Sequence, residues 1–185
     1  MQKKYQIIYA DPPWAFDFSN RRLSEEVKGR LYPTMQAQDI INLKVGDIAD
    51  KDCVLFLWVM SSEIPLALKC IEAWGFKYKT IAFTWVKTTS SGKYCFGGGN
   101  WTRSNPELCM LATRGRPKRL SASVRELVFS ERREHSRKPD EIRGQSLICA
   151  ATSRGRSSSA DILQTAGTYG VMRWSPPSNL GASSN

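Results

Sequence analysis

Seven consecutive apolar residues, Cys53-Val54-Leu55-Phe56-Leu57-Trp58-Val59, constrain this chain more than any other feature. The run has the length of a strand and does not alternate with polar residues. A strand of that kind is covered on both faces and sits centrally in a sheet flanked by other layers. Tyr5 to Ala10 reads as a second short buried strand, ended by Asp11-Pro12-Pro13. Residues 17–34 are polar and without period, and read as a loop. Met35, Ile40, Ile41 and Leu43 have helical spacing, with Thr34 a candidate N-cap. Ser62 is placed to cap a further helix that carries Pro65 in its first turn and Gly75 just past its end. Lys77 to Lys87 and Glu107 to Thr113 read as later strands. Strand, helix and strand at these lengths predict an α/β fold with a mainly parallel sheet and helices on both faces. Ligands of such sheets bind at the carboxyl ends of the strands, and Asp11 stands at one of those ends.

The 185 residues suit one compact domain. Lys and Arg number 27 against 17 Asp and Glu, a net charge of +10 that favours a polyanionic partner such as nucleic acid. The basic residues crowd between Arg114 and Arg143. No apolar run approaches the ~18 residues of a membrane span, and Met1-Gln2-Lys3-Lys4 leads directly into a strand-like segment without the pattern of a signal peptide. Cys53, Cys70, Cys95, Cys109 and Cys149 form no CxxC pair, and His135 is the single histidine. These features predict free thiols, no metal site and a cytoplasmic setting.

Asp11-Pro12-Pro13-Trp14 is the motif that bears chemistry. Two successive prolines fix φ and remove two N–H donors, so the loop is stiff and offers carbonyl acceptors. Asp11 adds a carboxylate and Trp14 a π-face. Acceptors beside a stacking surface suit a planar ring with an exocyclic amino group, whose nitrogen lone pair they direct towards an electrophile. The plainer alternative is an Asp-Pro-Pro turn with Trp14 as a core anchor. Gly97-Gly98-Gly99 does not have the GxGxxG spacing of a dinucleotide loop and reads as a flexible loop near the site.

Tyr9-Ala10-Asp11-Pro12-Pro13-Trp14 resembles the catalytic motif of the DPPW-type N6-adenine methyltransferases. That family includes bacterial and phage enzymes and the catalytic subunit of the eukaryotic messenger-RNA adenosine methylase. Further blocks resemble the family in order: Leu55 to Val59, Ala73 to Phe76, Trp85 to Thr88, Asn100 to Arg103, Glu107 to Cys109, Thr113 to Gly115, and Arg133 to Glu141. Arg114-Gly115-Arg116-Pro117 is closer to the bacterial and phage branch. The resemblance implies a Rossmann-like, S-adenosylmethionine-dependent domain of permuted motif order, with the catalytic loop ahead of the main cofactor segment. It implies that Asp11 and the Pro12 carbonyl grip the adenine amino group, with Pro13 stiffening the loop and Trp14 walling the base. Asp11, Ser136 and Lys138 would meet the cofactor, Lys138 through its carboxylate. Arg103, Arg114, Arg116, Lys118, Arg119, Arg133 and His135 are the candidate nucleic-acid contacts, DNA being the expected partner. Glu107 and Arg103 are left open between substrate contact and mutual pairing.

Past Arg143 the resemblance is lost. Residues 144–185 are rich in Ser, Gly and Ala, and read as a divergent, disordered tail after a methyltransferase domain of residues 1–143. Reading Ala151 to Ser175 from the third base of each codon, with one choice of synonymous codons, yields E-L-F and then G-W-D-V-W-G, blocks the family carries here. The tail is therefore expected to be a frame-shifted reading. The function expected is transfer of a methyl group to N6 of adenine in DNA. The alternatives are a catalytically impaired nucleic-acid-binding relic and an RNA adenosine methylase.

Overall fold

The computed structural model describes residues 4–14, 34–97, 101–133, 138–150 and 169–173. Six strands form one sheet: β1 (Tyr5–Asp11), β2 (Ala49–Val59), β3 (Lys77–Thr88), β4 (Glu107–Arg114), β5 (Leu127–Glu131) and β6 (Tyr169–Arg173). Their order across the sheet is β5-β3-β4-β2-β1-β6. β1 pairs in parallel with β2 and β6, and β3 with β5. β4 runs against both of its neighbours, β2 and β3. The sheet is thus mostly but not wholly parallel. The reason lies in the connection before β4: among the described residues no helix stands between β3 and β4, and β4 returns antiparallel beside β3.

The central apolar run behaves as its composition requires. Leu55, Leu57 and Val59 enter one core with Ile8, Ala10, Met110 and Ala112. Val54, Phe56 and Trp58 enter a second core with Ile7, Tyr9, Phe83, Trp85 and Cys109. Alternate side chains point to opposite faces, so an unbroken apolar strand needs cover on both. α1 (Ala37–Ile41), α2 (Val45–Ile48) and α3 (Ile64–Ala73) cover the first face through Ile40, Val45, Ala67, Cys70 and Ile71. α4 (Asp140–Cys149) covers the second through Ile142.

Local signals account for most element ends. Gly75 has φ 80°, its N–H donates to the Glu72 carbonyl and that of Phe76 to the Ile71 carbonyl, each at 2.9 Å. This pair of bonds closes α3 on the left-handed residue expected there. Pro65 lies in the first turn, but Ser61–Glu63 form a 3-10 turn and Glu63, not Ser62, occupies the N-cap. Thr34 caps nothing: the Met35 N–H donates to the Pro13 carbonyl at 3.0 Å, which holds the chain extended until α1 begins at Ala37 behind Gln36. β5 went unanticipated, because one strand of five residues in a polar, basic stretch carries little periodic signal. The boundary expected at residue 143 falls inside α4, which continues to Cys149. The loop expected over residues 17–34 lies outside the described residues except for Thr34.

Gly115 closes β4 with φ 66°, and a Cβ there would collide with the Lys51 carbonyl oxygen and the Asp52 carboxylate. That carboxylate accepts the Arg116 N–H at 2.8 Å. Gly115→Ala is expected to cost about 3 kcal/mol or more, since strain in a left-handed backbone adds to a clash with backbone that cannot move aside. Urea unfolding monitored by tryptophan fluorescence would measure the loss.

Candidate active site

The site is built at the carboxyl end of β1, where Asp11 is the last strand residue. Pro12 and Pro13 follow, both buried. The Trp14 N–H donates back to the Pro12 carbonyl at 2.9 Å, so the motif turns sharply as it leaves the sheet. The Trp14 indole N–H donates to the Trp58 carbonyl at 2.9 Å, and the ring is 6% exposed within the first core. Trp14 therefore anchors the loop to β2.

Four charged side chains meet along this edge. Lys138 Nζ lies 2.9 Å from Asp11 Oδ2 and 3.2 Å from Glu107 Oε2. Lys87 Nζ lies 2.6 Å from Glu107 Oε1. The order Asp11, Lys138, Glu107, Lys87 alternates in sign, so each buried charge has a counter-charge beside it. The residues come from the end of β1, the segment before α4, the start of β4 and the end of β3. Tyr9, Trp58, Cys109 and Trp85 of the second core lie beneath them. Lys138 stands 5.5 Å above the Trp58 ring and Lys87 5.4 Å above that of Trp85.

Electrostatics within the cluster favour the charged forms of Lys138 and Glu107. Burial opposes the charge of Lys138, but the carboxylates of Asp11 and Glu107 outweigh it and raise its pKa. Burial likewise pushes the Glu107 carboxyl up, and the charges of Lys138 and Lys87 overcome this to hold it below the usual value. Burial, reinforced by the Asp11 charge, raises the Cys109 thiol well above its ordinary pKa, so Cys109 is a neutral packing residue and no nucleophile.

A pH dependence of stability follows. A carboxyl whose folded pKa is depressed contributes stability above its unfolded value of ~4.3, and loses it as pH falls through the folded pKa. A lysine whose folded pKa is raised contributes below ~10.4 and loses this as pH rises through the folded value. The unfolding free energy of the wild type minus that of Glu107→Gln is expected to be largest near neutrality and to shrink below pH ~4.3. Urea unfolding of both proteins between pH 3 and 7 checks this.

The fold brings Asp11, Pro12, Pro13 and Lys138 together, with Arg133 close by through its 2.8 Å ion pair to Asp140. Arg103, exposed, precedes β4 at the same edge. Arg114, Arg116, Lys118 and Arg119 are not brought there. β4 runs opposite to β1, so Glu107 reaches the Asp11 edge while Arg114 leaves at the other, roughly 23 Å away at ~3.3 Å per residue. Arg114 donates to the Gly46 carbonyl at 2.8 Å, and Arg119 bridges to Ala150 beyond the far end of α4. Ser136 and His135 lie outside the described residues. Sequence reasoning left Glu107 undecided and did not single out Lys87 or Trp58. The available signal was that Lys87 follows Trp85 by two and therefore shares its face, but the Trp85–Glu107 pairing that brings Glu107 alongside needs the β3–β4 register.

Residues 5–149 match the MT-A70 family model. The chain belongs to the MT-A70 family. The match runs through α4, six residues past the point where resemblance was expected to end. A relative from a Mycoplasma species, the type II methyltransferase M.MunI, is 32% identical over 155 residues, covering 75% of this chain and 64% of its own length. An N(6)-adenosine-methyltransferase MT-A70-like protein of Arabidopsis thaliana is 29% identical over 140 residues, covering 75% of this chain and 19% of its own. The MT-A70-like protein of Drosophila melanogaster is 29% identical over 144 residues, covering 76% and 22%. This MT-A70 chain thus spans under two thirds of the Mycoplasma protein and about a fifth of the plant and insect proteins. No described helix is long and apolar enough to cross a membrane.

Proposed function

We propose that this MT-A70 chain transfers a methyl group from S-adenosylmethionine to N6 of adenine in DNA. The observation that carries the reading is Lys138, an ammonium only 8% exposed and held charged between Asp11 and Glu107. A buried cation beside an acceptor-rich loop suits a ligand that presents a carboxylate next to an amino-bearing ring.

The residues fit the cofactor. Lys138 would hold its carboxylate, with Asp11 adjacent. The indole N–H of Trp58, 1% exposed, has no acceptor among the described residues and leaves one donor to spare beneath the cluster. When bound, the cofactor supplies an electrophilic methyl group. Asp11 and the Pro12 carbonyl accept the two amino hydrogens of adenine, which draws the nitrogen lone pair out of conjugation with the ring and towards the electrophile. The Pro12 carbonyl already accepts the Trp14 N–H, and its second lone pair remains for the substrate. The amino nitrogen forms the new bond and then releases a proton, so no general base is needed before attack.

Reaching the amino group in a duplex requires extrusion of the base, at a few kcal/mol. Arg103 and Arg133 would offset this through phosphate contacts at the catalytic edge. Arg114, Arg116, Lys118 and Arg119 would meet the backbone only where the nucleic acid reaches the opposite end of the sheet. The choice of DNA is supported by scale, since the chain matches most of the Mycoplasma relative and a small part of the adenosine methyltransferases. The test is transfer of labelled methyl groups to DNA and RNA of one sequence, with purine in place of adenine as control. Labelling of DNA that purine abolishes supports the reading; preferential labelling of RNA replaces it with the adenosine reading.

A second reading, an impaired relic that binds nucleic acid without methylating it, is favoured by the end of the family match at residue 149. The chain past residue 149 would then be the frame-shifted part, although Tyr169–Arg173 still lie beside β1 as an edge strand. Calorimetric titration with S-adenosylmethionine separates the two, because the relic does not bind it.

A further inference from the structure

β5 ends the sheet, and among the described residues no strand pairs with its outer edge. The hydrogen bonds on its inner side show which groups face outward. The Thr84 N–H donates to the Glu126 carbonyl at 2.8 Å, and the Arg132 N–H donates to the Thr88 carbonyl at 2.9 Å. Backbone groups alternate in direction along a strand, so the N–H and C=O of Leu127, Phe129 and Glu131 point away from β3. Sheet edges are commonly blunted by lysine, proline or a bulge. β5 has none of these: it reads Leu127-Val128-Phe129-Ser130-Glu131 and keeps one register with β3 throughout.

The side chains carry a second signal. Val128 enters the second core, so Leu127 and Phe129 turn to the other face, where they stay 51% and 55% exposed. Tyr94, also exposed, lies against Phe129 with ring centroids 6.5 Å apart and widens the apolar patch. Arg125 and Glu131, both exposed, follow the same period of two and flank the patch with opposite charges.

This pattern is complementary to itself. In an antiparallel pair of β5 strands centred on Val128, Leu127 of each copy opposes Phe129 of the other, and Arg125 opposes Glu131. Outward groups meet outward groups, and each Leu127–Phe129 pair exchanges two N–H···O bonds. Centring the pair on Phe129 instead sets Leu127 against Glu131 and Arg125 against Arg133. Centring it on Leu127 sets Arg125 against Phe129. Of these registers, the one about Val128 matches apolar with apolar and each charge with its opposite.

We propose that β5 is a self-association edge, through which two copies of this chain pair antiparallel about Val128 and join their sheets. The occupant is a second copy because β5 itself supplies both members of every pair. The two-fold axis stands perpendicular to the sheet, so the two Asp11 edges point in opposite directions and neither site borrows residues from the other. The inference is therefore independent of the methyl-transfer reading. A pair of five-residue strands is a small interface, so association is expected at micromolar concentration.

Sedimentation equilibrium of the full chain across the micromolar range tests this, and the wild type should pass from monomer to dimer. Arg125→Glu and Glu131→Arg should each weaken pairing about tenfold, because each sets like charges opposite one another twice. Combining Arg125→Glu with Glu131→Arg should restore it, since the pairs re-form with signs exchanged. Register is read by mixing Glu126→Cys chains with Ser130→Cys chains: these positions oppose each other in a non-hydrogen-bonded pair and should form a disulfide between copies, whereas neither variant alone should link through its new cysteine. A wild type that stays monomeric overturns the inference. So does a dimer that ignores the single reversals, or one that the double reversal fails to restore. If the chain is monomeric and Phe129→Ser weakens its binding to an oligodeoxynucleotide, the patch serves nucleic acid and the inference falls.

Discussion

Asp11→Asn is expected to lower methyl transfer about a thousandfold while leaving stability within about 1 kcal/mol of wild type. The carboxylate can accept both an amino hydrogen and the Lys138 ammonium, whereas the amide has one acceptor oxygen and presents hydrogens of its own. The amino group of adenine would lose the acceptor that orients its lone pair. Lys138 would keep Glu107 as a partner at 3.2 Å, so the edge of the sheet need not open. The proposed chemistry therefore predicts a dead but folded protein. Labelled-methyl transfer with thermal denaturation on one sample checks both halves, and full activity in Asp11→Asn would remove the mechanism.

The second large effect falls on stability. Lys138→Ala leaves Asp11 and Glu107 without their shared cation in a mostly buried setting, and breaking a buried pair in this way costs about 3–5 kcal/mol. That is a large part of the 5–15 kcal/mol typical of a domain. Glu107 retains Lys87 at 2.6 Å, so the penalty concentrates on Asp11 and on the packing lost above Trp58. Combining Lys138→Met with Asp11→Asn should recover much of the stability, because an apolar stem then faces a neutral amide, and yet recover no cofactor binding. Urea unfolding gives the first quantity and calorimetric titration the second. A loss under about 1 kcal/mol in Lys138→Ala would mean that the cluster does not hold this edge together.

Trp14 differs from Asp11 in the kind of loss it would show. From the motif alone, Trp14→Ala reads as a variant that abolishes transfer and spares the fold. With the ring 6% exposed and its N–H on the Trp58 carbonyl, the same change removes a core side chain and a buried bond, and belongs with those that cost about 3–5 kcal/mol. The residue looks catalytic in sequence because its π-face suits a stacked base; its burial and its bond to Trp58 secure the loop on which Asp11 is carried.

Much of the architecture could be read without coordinates because it is written in local patterns. The unbroken run from Cys53 to Val59 demanded a strand covered on both sides, and both cores supply that cover. Gly75 marked the end of a helix because few other residues take positive φ there at so little cost. Asp11-Pro12-Pro13-Trp14 marked the site because its stiffness and acceptors lie within four adjacent residues. What the sequence did not determine was anything that depends on strand direction and register. The reversal of β4 carries Glu107 to the Asp11 edge and takes Arg114 and its basic neighbours to the other, although both lie on one short strand. Lys138 and Asp11 are 127 positions apart in the chain and meet at 2.9 Å. Local pattern specifies which face of an element is apolar, whereas the pairing of charges depends on how distant elements close upon one another, and tertiary packing alone decides that.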